Sequence, residues 1–195
     1  MNIIKNVCVY SASSTQIPTV YFEAAEELGR LLANHQINLI NGAGKMGLMA
    51  ATSNAALEAG GTVTGIIPEF MINQQWHHTG LTELIVTESM HERKQKMANL
   101  SDGIVALPGG CGTLEELLEI ITWKQLGLYL KPIIILNING FFSPLLDMLQ
   151  VAMNEHFMRP EHGEIWKVAS TPSQAIDLLY HTPHWNKDVR KFAAI

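Results

Sequence analysis

The chain has 195 residues, 47% of them apolar, and 13 basic against 18 acidic residues give it a formal charge of -5. That length and apolar share fit one domain that buries its own core and exclude a disordered chain, while the acidic balance excludes nonspecific nucleic-acid binding, which needs a basic footprint. No stretch approaches the roughly 18 apolar residues of a membrane span, and two cysteines, Cys8 and Cys111, are too few for a disulfide scaffold or a four-thiolate metal site.

The first predicted strand is 7–11, within MNIIKNVCVYSASS. Its apolar run is too short and too strand-like for a signal peptide, so the expected address is the cytoplasm. The loop Ser11-Ala12-Ser13-Ser14 follows, and Pro18, a good first-turn residue, leads into a helix at 19–34. A strand at 38–41 runs through a glycine loop into a helix at 47–59. Strands at 62–67 and 83–86 come next, then a helix at 89–101 and a strand at 103–107. A second glycine loop at 108–113 opens a helix at 114–126. A strand at 132–136, a helix at 143–155, a strand at 167–169 and a helix at 172–180 complete the pattern. With no linker or repeat, 1–195 reads as one domain, and 181–195, which lacks a pattern, as a loose tail.

Most of these strands are apolar throughout rather than alternating, as in strands covered on both faces. Repeated strand–helix alternation implies an α/β fold with a doubly wound, mostly parallel sheet and helices on both faces. Ligands of such sheets bind beyond the carboxyl ends of the strands. Four loops there carry unusual residues: 11–14, 41–47, 108–113 and 137–140.

The strongest local pattern is LPGGCGTLEELLEIITW at 107–123. A buried strand ends, Pro108-Gly109-Gly110-Cys111-Gly112 turns sharply, and Thr113 opens a helix. Glycines leave the backbone approachable, and the free N–H groups and dipole of a helix start attract phosphate. Thr113-x-x-Glu116 also fits a capping box, in which the threonine caps the helix and the glutamate reaches back. At about 100° per residue, Leu114, Leu117, Leu118 and Ile121 form a core face. Glu116, Ile120 and Trp123 fall on another side, covered either by a second subunit or by the same chain.

In SMHERKQKM at 89–97, Met90, Met97 and Leu100 fit a core face. His91, Arg93 and Lys94 sit in the first turns, where the helix dipole prefers acids. An anionic ligand would relieve that conflict; a solvated face with Glu92 and Lys96 paired at i,i+4 is the plainer explanation. NGAGKMG at 41–47 matches G-x-G-x-x-G, and Glu69 follows the next strand, where a dinucleotide enzyme would hold its ribose. The run follows the second strand rather than the first, which favours a nucleotide-facing loop without a dinucleotide. His77-His78 and His181-x-x-His184 have no acid at ligand spacing, so no metal is expected. No G-x-S-x-G elbow is present.

Together, MHERK at 90–94 and PGGCGTLEE at 108–116 resemble the Lonely Guy family of cytokinin riboside 5′-monophosphate phosphoribohydrolases, whose members were often labelled lysine decarboxylases. Similar features run from about Val7 to about Ala169, including Ser13-Ser14, GLM at 47–49, IIP at 66–68, TWKQLG at 122–127 and KPIIILNINGFF at 131–142. The resemblance implies a Rossmann-like fold, a homodimer with its site near the interface, and hydrolysis of the base–ribose bond of AMP or N6-prenylated AMP, without metal or cofactor. By matching position it implies Arg93 and Glu116 as the catalytic pair. The expected nucleotide contacts are Ser13, Ser14, Gly42, Gly44, Met90, Lys94, Pro108, Gly109, Gly110, Gly112 and Thr113. The sequence departs from the family at Gly42-Ala43-Gly44, where a GGG-type run is usual, at Ala12, and at Cys111. Three other readings stay open: a noncatalytic nucleotide carrier on the same fold, a pyridoxal-dependent decarboxylase and a dinucleotide enzyme.

Overall fold

Seven short strands lie side by side, all parallel, in the order β4-β3-β2-β1-β5-β6-β7. The computed structural model describes residues 1–186. In chain order the elements are β1 (Asn6–Tyr10), α1 (Thr19–Asn34), β2 (Asn38–Asn41), α2 (Gly47–Glu58), β3 (Val63–Pro68), α3 (Glu69–Asn73) and β4 (Glu83–Thr87). They continue with α4 (Met90–Leu100), β5 (Gly103–Ala106), α5 (Cys111–Gln125), β6 (Ile133–Leu136), α6 (Ser143–Asn154), β7 (Lys167–Ala169) and α7 (Pro172–His181). Two 3-10 turns, Ile138–Gly140 and Pro160–Glu164, flank α6. The expected α/β doubly wound, Rossmann-like architecture is what forms.

The apolar strands divide their side chains between two cores, as the period of two dictates. Val7 and Val9 of β1 and Ile134 and Leu136 of β6 pack with Leu28 and Leu32 of α1, Leu48 of α2 and Leu179 of α7. Cys8, Tyr10, Ile133 and Ile135 point the other way, onto Met97 of α4, Leu117 and Ile121 of α5 and Leu149 of α6. Burial on both faces explains why these strands show no polar alternation.

The chain winds outward from β1 to β4, then returns to the other side of β1 with β5. Strand order reverses there, and the loops after β1 and β5 must separate to opposite faces. This leaves a crevice at the carboxyl edge of the sheet.

Helix α3 escapes the sequence reading because five residues are too few to show a period. Of the expected loose tail, two residues are anchored: Thr182 is buried and the Trp185 backbone N–H donates to the Leu130 carbonyl at 2.7 Å. Residues 187–195 lie outside the described residues. Among the described residues, no helix is long and apolar enough to cross a membrane.

Candidate active site

Three of the four expected loops meet in the crevice, and short backbone bonds tie them together. The Ala12 N–H donates to the Pro108 carbonyl at 3.3 Å, and the Ala12 carbonyl accepts from the Met49 N–H at 3.2 Å. The fourth loop turns away. The Asn137 side chain accepts from the Phe142 N–H at 2.7 Å and donates to the Ser143 hydroxyl, shaping the entry to α6.

The loop after β2 is shaped from within. Buried Asn41 donates to the Ser53 hydroxyl at 2.8 Å and accepts from the Ala43 N–H at 2.9 Å. Ala43 is thereby held at φ +58, in the left-handed region that glycine occupies more cheaply. Next, the Ala43 carbonyl accepts from the His78 N–H and the Trp76 carbonyl from the Lys45 N–H, which draws the 76–78 segment onto the rim.

A cleft of about 610 Å³ opens between these loops. Ser11–Ser14 line one wall, with Gly42, Gly44, Lys45 and Met46 beside them. Met49, Met71, Trp76 and Met90 form a thioether and indole wall. Arg93, Gly110–Thr113, Glu115 and Glu116 complete it. Of the expected nucleotide contacts, the structure brings Ser13, Ser14, Gly42, Gly44, Met90, Gly110, Gly112 and Thr113 to this cleft, together with Arg93 and Glu116.

Three expected contacts stand outside the lining. Pro108 holds the Ala12 loop through its carbonyl. Gly109 lies under Thr113: a Cβ there would sit 2.5 Å from the Thr113 Cβ. Lys94 reaches α5 instead, where its ammonium donates to Glu115, on the edge of the lining, at 2.5 Å and to Glu119 at 3.1 Å. The two cations of MHERK therefore find protein carboxylates on α5, so their conflict with the α4 dipole is relieved inside the fold. The plainer Glu92–Lys96 pair also forms, at 4.0 Å.

Helix α5 begins at Cys111 rather than at Thr113, and its N-cap is Gly110, with no side-chain cap bond. The capping box is therefore absent. Thr113 and Glu116 lie inside the helix, both buried and both facing the cleft. An uncapped start leaves first-turn N–H groups without helical acceptors, beside the open space at Gly110 and Gly112. The core face of α5 also shifts. Leu117, Ile120 and Ile121 are buried, Leu118 is exposed, and Trp123 packs half-buried against its own chain's core. On α4, Met97 is core, while Met90 and Leu100 are exposed.

Arg93 and Glu116 face each other across the floor of the cleft at 3.6 Å, with only 6% and 9% of their surfaces exposed. The Arg93 Nε donates to the Ile66 carbonyl at 3.1 Å and an outer nitrogen to the Met90 sulfur at 3.6 Å. Burial pushes the Glu116 carboxyl above its ordinary value; the Arg93 charge pulls it back, and Glu115 pushes it up again. Such an acid works as a carboxylate only above a raised pKa.

Sequence reasoning missed Met49, Met71, Trp76 and Glu115 as cleft residues, and placed Lys45 and Met46 only within the nucleotide-facing loop 41–47. Met71 and Trp76 carry no local pattern. Met49 was visible only as a neighbour of the glycine run.

A family described as possible lysine decarboxylase matches residues 49–179. A probable cytokinin riboside 5′-monophosphate phosphoribohydrolase of Oryza sativa subsp. japonica is 40% identical, over 96% of this chain and 77% of its own. A cytokinin riboside 5′-monophosphate phosphoribohydrolase of Rhodococcoides fascians is 45% identical, over 80% of this chain and 79% of its own. Among solved structures, the molybdenum cofactor carrier protein of Chlamydomonas reinhardtii superposes with a TM-score of 0.70 at 23% identity, covering 92% of this chain and 98% of that one. At that identity the likeness is one of fold.

Proposed function

The chain belongs to the Lonely Guy family of cytokinin riboside 5′-monophosphate phosphoribohydrolases, also described as possible lysine decarboxylases, and we propose that it hydrolyses the base–ribose bond of a purine nucleoside 5′-monophosphate. The substrate is AMP or its N6-prenylated form, and the products are the free base and ribose 5-phosphate. The observation that carries this reading is the buried Arg93–Glu116 pair, which faces an uncapped helix start across one cleft.

The chemistry follows from charge. Breaking the bond between the anomeric carbon and the base nitrogen builds positive charge on the sugar and leaves the electron pair on the base. The Glu116 carboxylate stabilises the sugar cation and takes the proton of the attacking water, whose oxygen bonds to the anomeric carbon. The Arg93 guanidinium orients the nucleotide and offsets the negative charge of the departing base. That base takes a proton from solvent as it leaves and Glu116 gives its proton back to solvent, so that one water is consumed in all. The first turn of α5, with Gly110, Gly112 and Thr113, anchors the 5′-phosphate, so that remote binding energy places the reacting bond. The Met49, Met71, Met90 and Trp76 wall receives the flat, apolar base.

The test is incubation of the purified protein with AMP and N6-isopentenyl AMP, following free base by chromatography, with Glu116→Ala and Arg93→Ala alongside. Base released by the wild type and by neither variant supports the assignment; full turnover in either variant sinks it. A carrier on the same fold would bind AMP, release no base and tolerate loss of Glu116.

The chain acts as a homodimer. The outward stripe of α5 starts in the cleft with Cys111 and Glu115 and continues through Leu118 and Leu126, both exposed. A second copy covering those leucines would lie beside the site. Sedimentation should give a dimer, and Leu118→Lys with Leu126→Lys a monomer; an unchanged mass would refute this interface. Two free cysteines, Cys8 buried and Cys111 exposed, fit a reducing cytoplasm; recovery of the native protein in a membrane fraction would contradict that address.

A further inference from the structure

Gly42 stands just past β2, buried, and is the first glycine of the run that resembles a dinucleotide fingerprint. Its backbone is not among those with positive φ, so the turn itself does not demand glycine. The demand comes from one side chain. A Cβ at position 42 would overlap an outer nitrogen of Arg93 and lie 2.8 Å from Cζ and 3.3 Å from Nε. The three nearest neighbours of that missing Cβ all belong to the guanidinium.

The other sides of the guanidinium are held by atoms that attract it. They are the Ile66 carbonyl at 3.1 Å, the Met90 sulfur at 3.6 Å and the Glu116 carboxylate at 3.6 Å. Gly42 contributes the remaining side by leaving its space empty. The guanidinium fills the room through which a dinucleotide's pyrophosphate would approach such a glycine. The rest of the run is also accounted for within the chain. The Gly44 N–H donates to the Met49 sulfur at 2.9 Å, and Gly47, at φ +64, packs 2.5 Å from the Ser13 carbonyl carbon, measured to an added Cβ.

We propose that Gly42 is a positioning residue that acts through Arg93: the absence of a side chain at 42 forms the seat in which the guanidinium is held against Glu116. The kinetic consequence rests on the phosphoribohydrolase reading; the seat itself is geometric. Any side chain at 42 drives the guanidinium out of its place. Because the displaced group is the far end of a flexible side chain, the fold survives while the catalytic pair is separated.

The experiment compares Gly42→Ala and Arg93→Lys with the double variant G42A/R93K. Turnover of AMP, melting temperature and a crystal structure of Gly42→Ala are the readouts. Displacement of a catalytic group by an ångström costs on the order of 100-fold, so Gly42→Ala should lower kcat by about that factor. Its melting temperature should stay within about 2 °C of wild type. Lysine lacks the outer nitrogen that meets the new methyl group, so adding Gly42→Ala to Arg93→Lys should cost little more. An equal loss in both backgrounds would mean that Gly42 acts on the substrate directly, and undiminished turnover in Gly42→Ala would mean that no seat exists; either overturns the proposal. The crystal structure separates this failure from failure of the functional reading. If the wild type releases no base, the seat stands when Arg93 has left Ile66 and Glu116 in Gly42→Ala, and falls when it has not moved.

Discussion

Gly112→Ala should make the protein slightly more stable and a much poorer binder of its substrate. Gly112 is the second residue of α5, outside the left-handed region, and a Cβ added there meets nothing within 4 Å. The protein therefore gives no reason for a glycine. A glycine inside a helix costs roughly 0.5–1 kcal/mol relative to alanine, and less in the first turn. Replacing it should raise the melting temperature by about 1–2 °C in a chain of this size. The empty space beside Gly112 belongs to the cleft, and the proposed mechanism seats the phosphate there on the first-turn N–H groups. A methyl group there pushes the phosphate off at least one charge-assisted hydrogen bond, worth roughly 1.5–3 kcal/mol. That corresponds to a rise in KM for AMP of about 10- to 100-fold. Calorimetry and steady-state base release on the same preparation measure both numbers. An unchanged KM would show that the ligand does not use this space, and a fall of several degrees in melting temperature would show that the fold does; either result refutes the reasoning.

The raised pKa of Glu116 fixes the sign of a pH effect: the carboxylate is the working form, so kcat/KM should fall with decreasing pH through a value above the ordinary 4.5. An acid limb at or below 4.5 would contradict that burial. Ala43→Gly should stabilise the fold by about 0.5–1 kcal/mol, because the left-handed backbone costs alanine about 1–2 kcal/mol and glycine's extra freedom returns only part of it; a lower denaturation midpoint would refute it. Lys124 is buried, donates to the Lys131 carbonyl at 2.8 Å, and has its pKa lowered to about 8 by burial and by the charge of Lys167. Its folded form sheds the proton near 8 and its unfolded form near 10.5, so stability should climb as pH rises between those values and the full penalty, about 3 kcal/mol, applies at pH 7. Lys124→Met should raise the urea midpoint at pH 7 and flatten that climb, and no gain at pH 7 would refute the penalty. Lys94→Gln should lower stability and leave KM for AMP unchanged, since its ammonium is committed to Glu115 and Glu119; a raised KM would return it to the substrate.

The fold was legible because the central strands of the sheet are covered on both faces. Runs such as Ile133–Leu136 are apolar at every position, so they stand out from the amphipathic helices without any alternation to interpret. The β2 and β7 boundaries came through unchanged. Short-range periodicity could not reach α3, nor the rim segment carrying Trp76. That segment is placed by backbone bonds to Ala43 and Lys45, which no side-chain pattern encodes. The pair proposed as catalytic was legible only by resemblance. Nothing local in MHERK says which of its two cations turns inward to the cleft, because both are buried and each meets its own carboxylate on α5.

The glutamate shows most directly how two plausible local readings separate. Thr113 and Glu116 are three residues apart, the spacing of a capping box, and that reading holds if the helix starts at Thr113. The Gly109-Gly110 turn lets the chain enter α5 two residues earlier, at Cys111. Within a helix, the same spacing of three places two side chains one above the other on a single face. Thr113 and Glu116 are then carried together to the cleft wall, and the helix start, freed of a side-chain cap, is left for an anion. Gly110→Ser should reverse this choice. A serine hydroxyl at the N-cap would accept from the first-turn N–H groups and stabilise the helix by about 0.3 kcal/mol, since glycine is itself a tolerated N-cap. It would also occupy the donors that the phosphate needs. Tighter folding with weaker AMP binding in that variant would identify the uncapped start as the anion site, and unimpaired binding would place the phosphate elsewhere in the cleft.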